Sequence, residues 1–368
     1  MDFPFSIDDV MSLLGITFPN HKDVRVVCPI CKTKNLTINR QTETFACYKC
    51  GDTKGRSGTA LYSKIYGVDN KTAYNEIMQA LNKSGTVREI KPIEFEKEQE
   101  LASVGNRHIA YSTLLSNLSL SDRDSDDLYK RGFLPDEVKK LEYKSAIAKS
   151  EKADARIFEI PKEILKKGIS LLGIPYFYKS KNKDLWILNV GKNGILVPYR
   201  NRNALIQGFQ LRKHNEELGE KEEKYSWVSS RDKNCGTASK SYIHYACDFE
   251  KVNGTYQPVL KSNSVLLTEG AMKGDLFHAI TKFPAICVAG VNALSELDEE
   301  LDYLKSRDIE YILIGYDMDY EKNEKVAKAV ESLKSKIENH GLKWQRILWD
   351  STFKGIDDYY AFKERNIK

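Results

Sequence analysis

The chain has 368 residues, 41% of them hydrophobic and 30% charged. This length suits two or three domains, and the balance describes a globular chain rather than a disordered or fibrous one. No run approaches the roughly 18 apolar residues of a membrane span, and the acidic start up to Asp9 lacks a secretory core, so the cytosol is the expected location. The net charge of +5 is uneven: +3 over residues 1–90, +6 over 91–263 and −4 over 264–368. A basic front with an acidic end suits a polyanion-binding surface beside a cation site.

In chain order, Ser6-Ile7-Asp8-Asp9 before Val10, Leu13 and Leu14 predicts an N-capped helix. Short β-prone pieces follow at 24–27, 35–38 and 44–47. After Ser57-Gly58, apolar residues at Leu61, Ile65, Ile77, Met78 and Leu81 predict two helices split near Gly67. The polar stretch over 84–100, with Gly85, Pro92 and a Glu/Lys run, reads as a linker, and its end from Glu94 reads equally as a solvated helix. Residues 107–170 read as helices with loops, and 185–263 as strand-rich, with strands at 185–188, 195–199 and 206–211. From Ser264 strands and helices alternate: strands at 265–268, 285–288, 311–314 and 343–349, helices from Met272, over 294–304 and over 323–339. That rhythm predicts a mostly parallel α/β layer. The domains expected are 1–83, metal-binding; 84–100, linker; 101–263, a basic α+β part; and 264–368, a Rossmann-like α/β part.

Cys28-Pro29-Ile30-Cys31 and Cys47-Tyr48-Lys49-Cys50 form a double CxxC array. Four thiolates at this spacing close a tetrahedral zinc shell, with a β hairpin between the pairs, and favour a structural metal over a redox pair. Cys235, Cys247 and Cys287 are scattered and read as small buried side chains. Lys32, Lys34, Arg40 and Lys49 beside Phe45 and Tyr48 suit single-stranded nucleic acid, and a protein-docking ribbon remains the alternative.

A second constellation lies at strand ends. Glu269 follows Leu266-Leu267-Thr268, and Asp317 and Asp319 follow Ile312-Leu313-Ile314. At i and i+2 on an extended segment the two aspartates point the same way. Carboxylates at the carboxyl edge of a parallel sheet lie where such folds bind ligands, and they repel one another unless a cation such as magnesium joins them. Helix capping is the alternative role for each. A further acidic pair, Asp357-Asp358, follows Lys354-Gly355-Ile356.

The order Glu-Gly, Asp-x-Asp and a later acidic motif resembles the TOPRIM domain of primases and topoisomerases. With the zinc array upstream, the chain resembles bacterial DnaG-type primases, most closely those of phages, plasmids and other mobile elements. The segments 194–212 and 224–230 resemble the basic strand region of the primase core, and 288–293 and 354–359 resemble signatures of the mobile-element branch. The resemblance implies template-directed synthesis of short RNA primers on single-stranded DNA. It implies Glu269, Asp317 and Asp319 as catalytic residues and Asp317, Asp319 and Asp357 as ligands of Mg²⁺ or Mn²⁺. Arg200, Arg202, Arg212, Lys224 and Lys273 would bind nucleic acid or nucleotide. NTPs, a DNA template and a separately encoded helicase are the implied partners, in a bacterial cytoplasm. A TOPRIM-type nuclease and a non-catalytic single-strand-binding replication protein are the alternatives. Three departures stand out. All four zinc ligands are cysteine, Gly355-Ile356-Asp357 replaces the Asp-Pro-Asp of cellular primases, and Lys273 stands where those enzymes often carry an acid.

Overall fold

A computed structural model describes residues 4–19, 21–33, 35–51, 53–82, 99–148, 151, 154–219, 222–290, 294, 296–317 and 324–367. Contacts divide the chain into two units, Met1–Glu98 and Gln99–Lys368. Most of the stretch read as a linker, 84–98, lies outside the described residues.

In the first unit, α1 (Ile7–Leu13) starts on a capping box: the Ser6 hydroxyl accepts from the Asp9 N–H, and the Asp9 carboxylate accepts from the Ser6 N–H at 2.7 Å. The strands β1 (Asp23–Val26), β2 (Leu36–Asn39), β3 (Thr44–Cys47) and β4 (Lys54–Arg56) form an antiparallel meander. The first three match the expected pieces. β4, which is exposed along its length and has no apolar pattern, was not expected. Helices α2 (Gly58–Tyr66) and α3 (Asn70–Asn82) follow, split by Gly67 in the left-handed conformation that ends α2. Ile7, Val10, Leu36, Ile38, Phe45 and Leu61 share one core with Cys28 and Cys47.

The second unit opens with α4 (Val104–Ser116), α5 (Asp122–Lys130) and α6 (Pro135–Leu141), then β5 (Lys144–Ser145) and α7 (Arg156–Lys166). A hairpin of β6 (Phe177–Lys179) and β7 (Trp186–Leu188) precedes β8 (Gly194–Arg200), β9 (Ile206–Lys213) and β10 (Tyr225–Trp227). These last three join β5 in an antiparallel sheet of order β10-β9-β8-β5. Helices α4 and α7 pack on one face of it around Tyr111, Leu114, Ile160, Ile164 and Phe209.

The rest of the unit is an α/β layer. It begins with β11 (His244–Ala246) and a second hairpin, β12 (Phe249–Val252) with β13 (Thr255–Pro258). Then come β14 (Ser264–Glu269), α8 (Ala271–Thr281), β15 (Ala285–Val288), α9 (Leu297–Ser306), β16 (Tyr311–Ile314), α10 (Glu324–Asn339), β17 (Lys343–Arg346) and α11 (Ile356–Arg365). The sheet order is β11-β15-β14-β16-β17. Four of its strands are parallel, as expected, and β11 adds an antiparallel edge. Alternation along β14 divides the core: Val265 and Leu267 pack toward α9 and α10, and Leu266 packs with Phe277 of α8 and Ile356 of α11. Helix α11 was not expected, because its apolar residues are outnumbered by its charged and tyrosine residues.

The two sheets share a buried seam of Ile195, Val197, Tyr199, Tyr242, Met272 and Leu276. Polar links cross it. The Arg200 backbone N–H donates to His244 Nδ1 at 2.9 Å, so His244 Nε2 carries the proton and donates to Asp275 Oδ1 at 2.9 Å. The Tyr143 hydroxyl donates to Asp275 Oδ2 at 2.6 Å, and the Ala271 N–H donates to the Tyr199 hydroxyl at 3.3 Å.

Helix α8 lies so close to β15 that a methyl group on Gly274 would come within 2.1 Å of Cys287 Sγ. Gly274→Ala is expected to cost about 1–3 kcal/mol through overpacking, read as a lowered thermal midpoint. Adding Cys287→Ala should recover part of the loss.

Candidate functional site: a cysteine cluster and an acidic sheet edge

The two CxxC segments fold into matching turns. Each ends in a left-handed residue, Lys32 after Cys31 and Gly51 after Cys50. Each opens with a backbone bond from the first cysteine, Cys28 N–H to Thr33 O and Cys47 N–H to Thr53 O, both at 2.8 Å. The four sulfurs lie within 4.8 Å of one another, with Cys28–Cys50 at 3.7 Å and Cys31–Cys47 at 3.6 Å. Zinc–sulfur bonds of about 2.3 Å in a tetrahedron imply a sulfur spacing of about 3.8 Å, so the donors fit zinc. Burial pushes the Cys28 thiol up to about 12. Burial acts the same way on Cys31, but the hydroxyl and N–H of Thr33 hold that thiol at about 6. A bound dication removes this conflict by favouring the thiolate at every position.

The aromatic and basic residues expected around the ribbon part company. Tyr48 is exposed, but Phe45 points inward from β3 and is buried against Gly55, so it offers no stacking face. Arg40 holds Asp8 through Nε and Nη2, at 3.0 and 2.6 Å. Lys34 lies outside the described residues. Among the scattered cysteines Cys287 is buried and Cys247 half-buried, but Cys235 is exposed, in a left-handed turn rather than a core.

The second constellation sits where β14 and β16 end. Gly270, at φ 82°, turns the chain from Glu269 into α8. The Gly315 N–H donates to Leu267 O at 2.9 Å, and Thr268 Oγ1 donates to Gly315 O at 2.9 Å. This carries the parallel pairing past β16 and brings Asp317 to the edge that Glu269 occupies. Asp319 lies outside the described residues. Asp357 arrives from the first turn of α11 and is wholly buried. One of its oxygens faces Arg131 Nη2 at 3.1 Å, and the other, Oδ1, has no hydrogen-bond partner. A side chain at Gly355 would meet that Oδ1 at 2.3 Å, so any larger residue there would displace the Asp357 carboxylate. Burial pushes Asp357 upward, against Arg131 and Lys273; the nearby Asp358 and Asp317 add to the push.

Lysines meet these acids. Lys273, in the first turn of α8, is ion-paired with Asp317 Oδ1, and Lys354 Nζ stands 3.8 Å from Asp317 Oδ2. Burial works against the Lys273 ammonium, but Asp317, Asp357 and Glu269 together hold it above its usual range. Among the described residues the cysteine cluster alone gathers three or more metal donors within one shell. The unpartnered, buried Asp357 Oδ1 beside Asp317 and Glu269 nevertheless supplies the hard oxygen donors that Mg²⁺ or Mn²⁺ takes.

The five expected anion-binding residues are not one surface. Arg212 is buried and ion-paired with Asp127. Burial and the nearby Arg212 and Arg131 charges lower Lys224. These three cations therefore cluster around Asp127, and Arg131 alone of them pairs with Asp357. Arg200 and Arg202 lie at the turn end of the β8–β9 hairpin, six residues along β9 from Arg212, about 20 Å at strand rise. Arg200 binds Glu142 at 2.5 Å and lines a cavity of about 130 Å³ with His244, Asp275 and His278. Arg202 pairs with Glu300 at 3.3 Å and stacks on the Tyr303 ring. Lys273 is joined to the acidic edge itself. Arg131 escaped the sequence reading, since a lone Lys-Arg-Gly at a helix end carries no signal of a partner 226 residues away.

Residues 256–366 match a family described as a domain of unknown function (DUF3854). No curated protein matches the chain. Among solved structures, the zinc-binding and RNA polymerase domains of the Aquifex aeolicus primase align over 99% of this chain and 82% of their own, at 15% identity and a TM-score of 0.50. The RNA polymerase domain of Mycobacterium tuberculosis primase DnaG aligns over 71% of this chain and 83% of its own, at 13% identity and a TM-score of 0.51. The same domain with a double-stranded DNA oligomer bearing a 6-nucleotide overhang gives 14% identity and a TM-score of 0.50, covering 72% of this chain and 81% of its own. At these identities the likeness shows the fold: a four-cysteine unit followed by a primase-like α/β core. No helix among the described residues is long and apolar enough to cross a membrane.

Two outcomes test this geometry. Stripping zinc with a chelator should unfold the first unit, because the metal supplies much of its folding energy; circular dichroism and proteolysis within residues 1–82 would read it. Arg131→Met strands the buried Asp357 charge and should cost about 3–5 kcal/mol. Arg131→Met with Asp357→Asn should lose less than Arg131→Met alone, measured by urea unfolding.

Proposed function

We propose that the chain is a DNA primase, making short RNA primers on single-stranded DNA during the replication of a mobile element. The observation that carries this reading is the acidic edge of Glu269, Asp317 and Asp357 with Arg131, Arg212 and Lys224 beside it, in a primase-like fold. Residues 1–83 would be the zinc-binding domain, 101–263 the basic part of the polymerase core and 264–368 a TOPRIM domain. The Mycobacterium domain's DNA complex supports a nucleic-acid partner.

In this reading a 3′ hydroxyl attacks the α-phosphate of an incoming NTP, and pyrophosphate leaves. A magnesium or manganese ion at the edge would supply charge neutralisation of the phosphates. Asp317, Asp357 and Asp319 would hold it, with Glu269 placed to accept the hydroxyl proton. Arg212 and Lys224 would bind the nucleotide phosphates, at the cost of loosening the Arg212–Asp127 pair. Arg131 favours the carboxylate form of Asp357, against the burial that pushes it upward. Arg200 and Arg202, already paired with Glu142 and Glu300, would contribute to template contacts further off. A separately encoded helicase in a bacterial cytoplasm would be the natural partner.

The test is primer synthesis on mixed-sequence single-stranded DNA with labelled NTPs and Mg²⁺ or Mn²⁺. The chain should make short oligomers, and Asp317→Asn should lower the yield roughly 100-fold or more. Equal products from both proteins would remove Asp317 from the site. DNA binding without synthesis would point to the replication accessory role, and DNA cleavage without NTPs to a nuclease.

A further inference from the structure

The β6–β7 hairpin and the loop after β10 build a basic surface away from the acidic edge. The two pieces are joined. The Lys179 N–H donates to Asn234 O at 2.9 Å, Asn234 Nδ2 donates back to Lys179 O at 3.3 Å, and the buried Ser230 hydroxyl donates to Phe177 O at 2.7 Å. Residues 178–184 carry Lys179, Lys181 and Lys183 against Asp184, and residues 231–240 carry Arg231, Lys233 and Lys240 against Asp232. Lys179 and Asp184 pair with each other. Lys181, Lys183, Lys233 and Lys240 are exposed, and among the described residues no carboxylate stands within ion-pair distance of them. The Lys233 ammonium rests over the Tyr178 ring, 5.7 Å from its centre, which holds it against the hairpin.

A single exposed lysine is ordinary solvated surface. Two observations set this group apart. Hydrogen bonds between the hairpin and the loop gather the ammoniums onto one structural piece, where like charges repel until a polyanion joins them. Strand β10 then links that piece to the cations around Asp127. Tyr225 lies opposite Arg212, Lys224 precedes it, and Arg231 follows Lys224 by seven residues. That separation is no more than about 25 Å at full chain extension. The acids of the connection before β10 lie at the strand's other end and are occupied, Glu216 by Arg123 and Glu222 by Lys192 and Lys213.

We propose that the β6–β7 hairpin and the 231–240 loop bind the phosphate backbone of single-stranded DNA, extending the path that Arg212 and Lys224 begin. The proposal rests on reading the chain as one that acts on single-stranded DNA, and adds where the strand lies beyond the acidic edge. Lysines on phosphates position a strand without reading its bases, so the binding is independent of sequence and weakens with salt.

The experiment measures binding of fluorescein-labelled, mixed-sequence single-stranded DNA to the zinc-loaded full chain by anisotropy, over a series of salt concentrations. Each phosphate contact on a single strand contributes about 0.7 to the slope of log affinity against log salt. The triple variant Lys181→Gln, Lys183→Gln, Lys233→Gln should therefore lose about 2 from that slope and bind roughly tenfold or more weakly at about 0.1 M salt. A control with the same charge change at exposed lysines elsewhere, Lys139→Gln, Lys251→Gln, Lys261→Gln, should keep the wild-type slope. An unchanged dichroism spectrum establishes that each variant is folded. Lysine acylation of the wild type reads the same surface without substitution: bound DNA should protect Lys181, Lys183 and Lys233 in mass spectra. Wild-type affinity and slope in the first variant, equal losses in both variants, or no protection of these lysines would each overturn the proposal. Primer synthesis is read separately. A chain that binds DNA through these lysines and makes no primers ends the primase reading and leaves this one standing; primers from a chain whose DNA affinity ignores these lysines do the reverse.

Discussion

The buried carboxylate of Asp357 is the constraint around which the second unit is arranged. A carboxylate fully out of water is tolerated only with a cation and hydrogen bonds at hand. Arg131 supplies the cation from the end of α5, across most of the unit's length in sequence. The pair requires α5 and α11 to approach closely, and two glycines permit it. Gly132, at φ 109°, leaves room for Ala361 of α11, and Gly355 leaves room for Asp357 itself. Arg365 adds a second tie by pairing with Glu137 of α6 at 2.6 Å. The final helix thus fastens the basic half of the unit to the acidic half at the point where their charges meet.

The seam between the sheets does the same work further in. His244, Asp275 and Tyr143 form a closed chain of donors and acceptors that also takes the Arg200 backbone N–H. The ring nitrogens of His244, both Asp275 oxygens and the Tyr143 hydroxyl are each satisfied within that chain, and the tautomer of His244 follows from its neighbours. Around it, Tyr199, Trp227 and Tyr242 contact one another edge-on. Side chains locked on both faces keep β8 and β9 at a set distance from the strand ends that carry Glu269 and Asp317. An arrangement of opposite charges needs such a frame, because its own Coulomb energy would otherwise draw the cations onto the acids. Lys273, which reaches Asp317 from the first turn of α8, shows such a contact.

The first unit follows different physics. Its core is small, and two of the cysteines are part of it. The thiols disagree in their proton affinities without a metal, Cys28 held high and Cys31 low, although their sulfurs already stand at tetrahedral spacing. In a unit of this size the ion replaces the burial that a larger domain would use.

Local rules made much of this legible from residues alone. The CxxC spacing, the Ser6 cap, the Gly67 break and the strand–helix alternation after Ser264 depend on contacts a few residues apart, and each reappears in the structure. So does the position of Glu269 and Asp317, because alternation places strand-end carboxylates on one sheet edge whatever surrounds them. The tertiary structure alone decided which charges meet. Arg131 finds Asp357 over 226 residues, Arg212 and Lys224 part from Arg200 and Arg202 along a strand, and Phe45 is lost to the core. The reason is that burial and charge pairing are settled between elements: sequence spacing gives the face a side chain takes, but its partner depends on the element that covers that face.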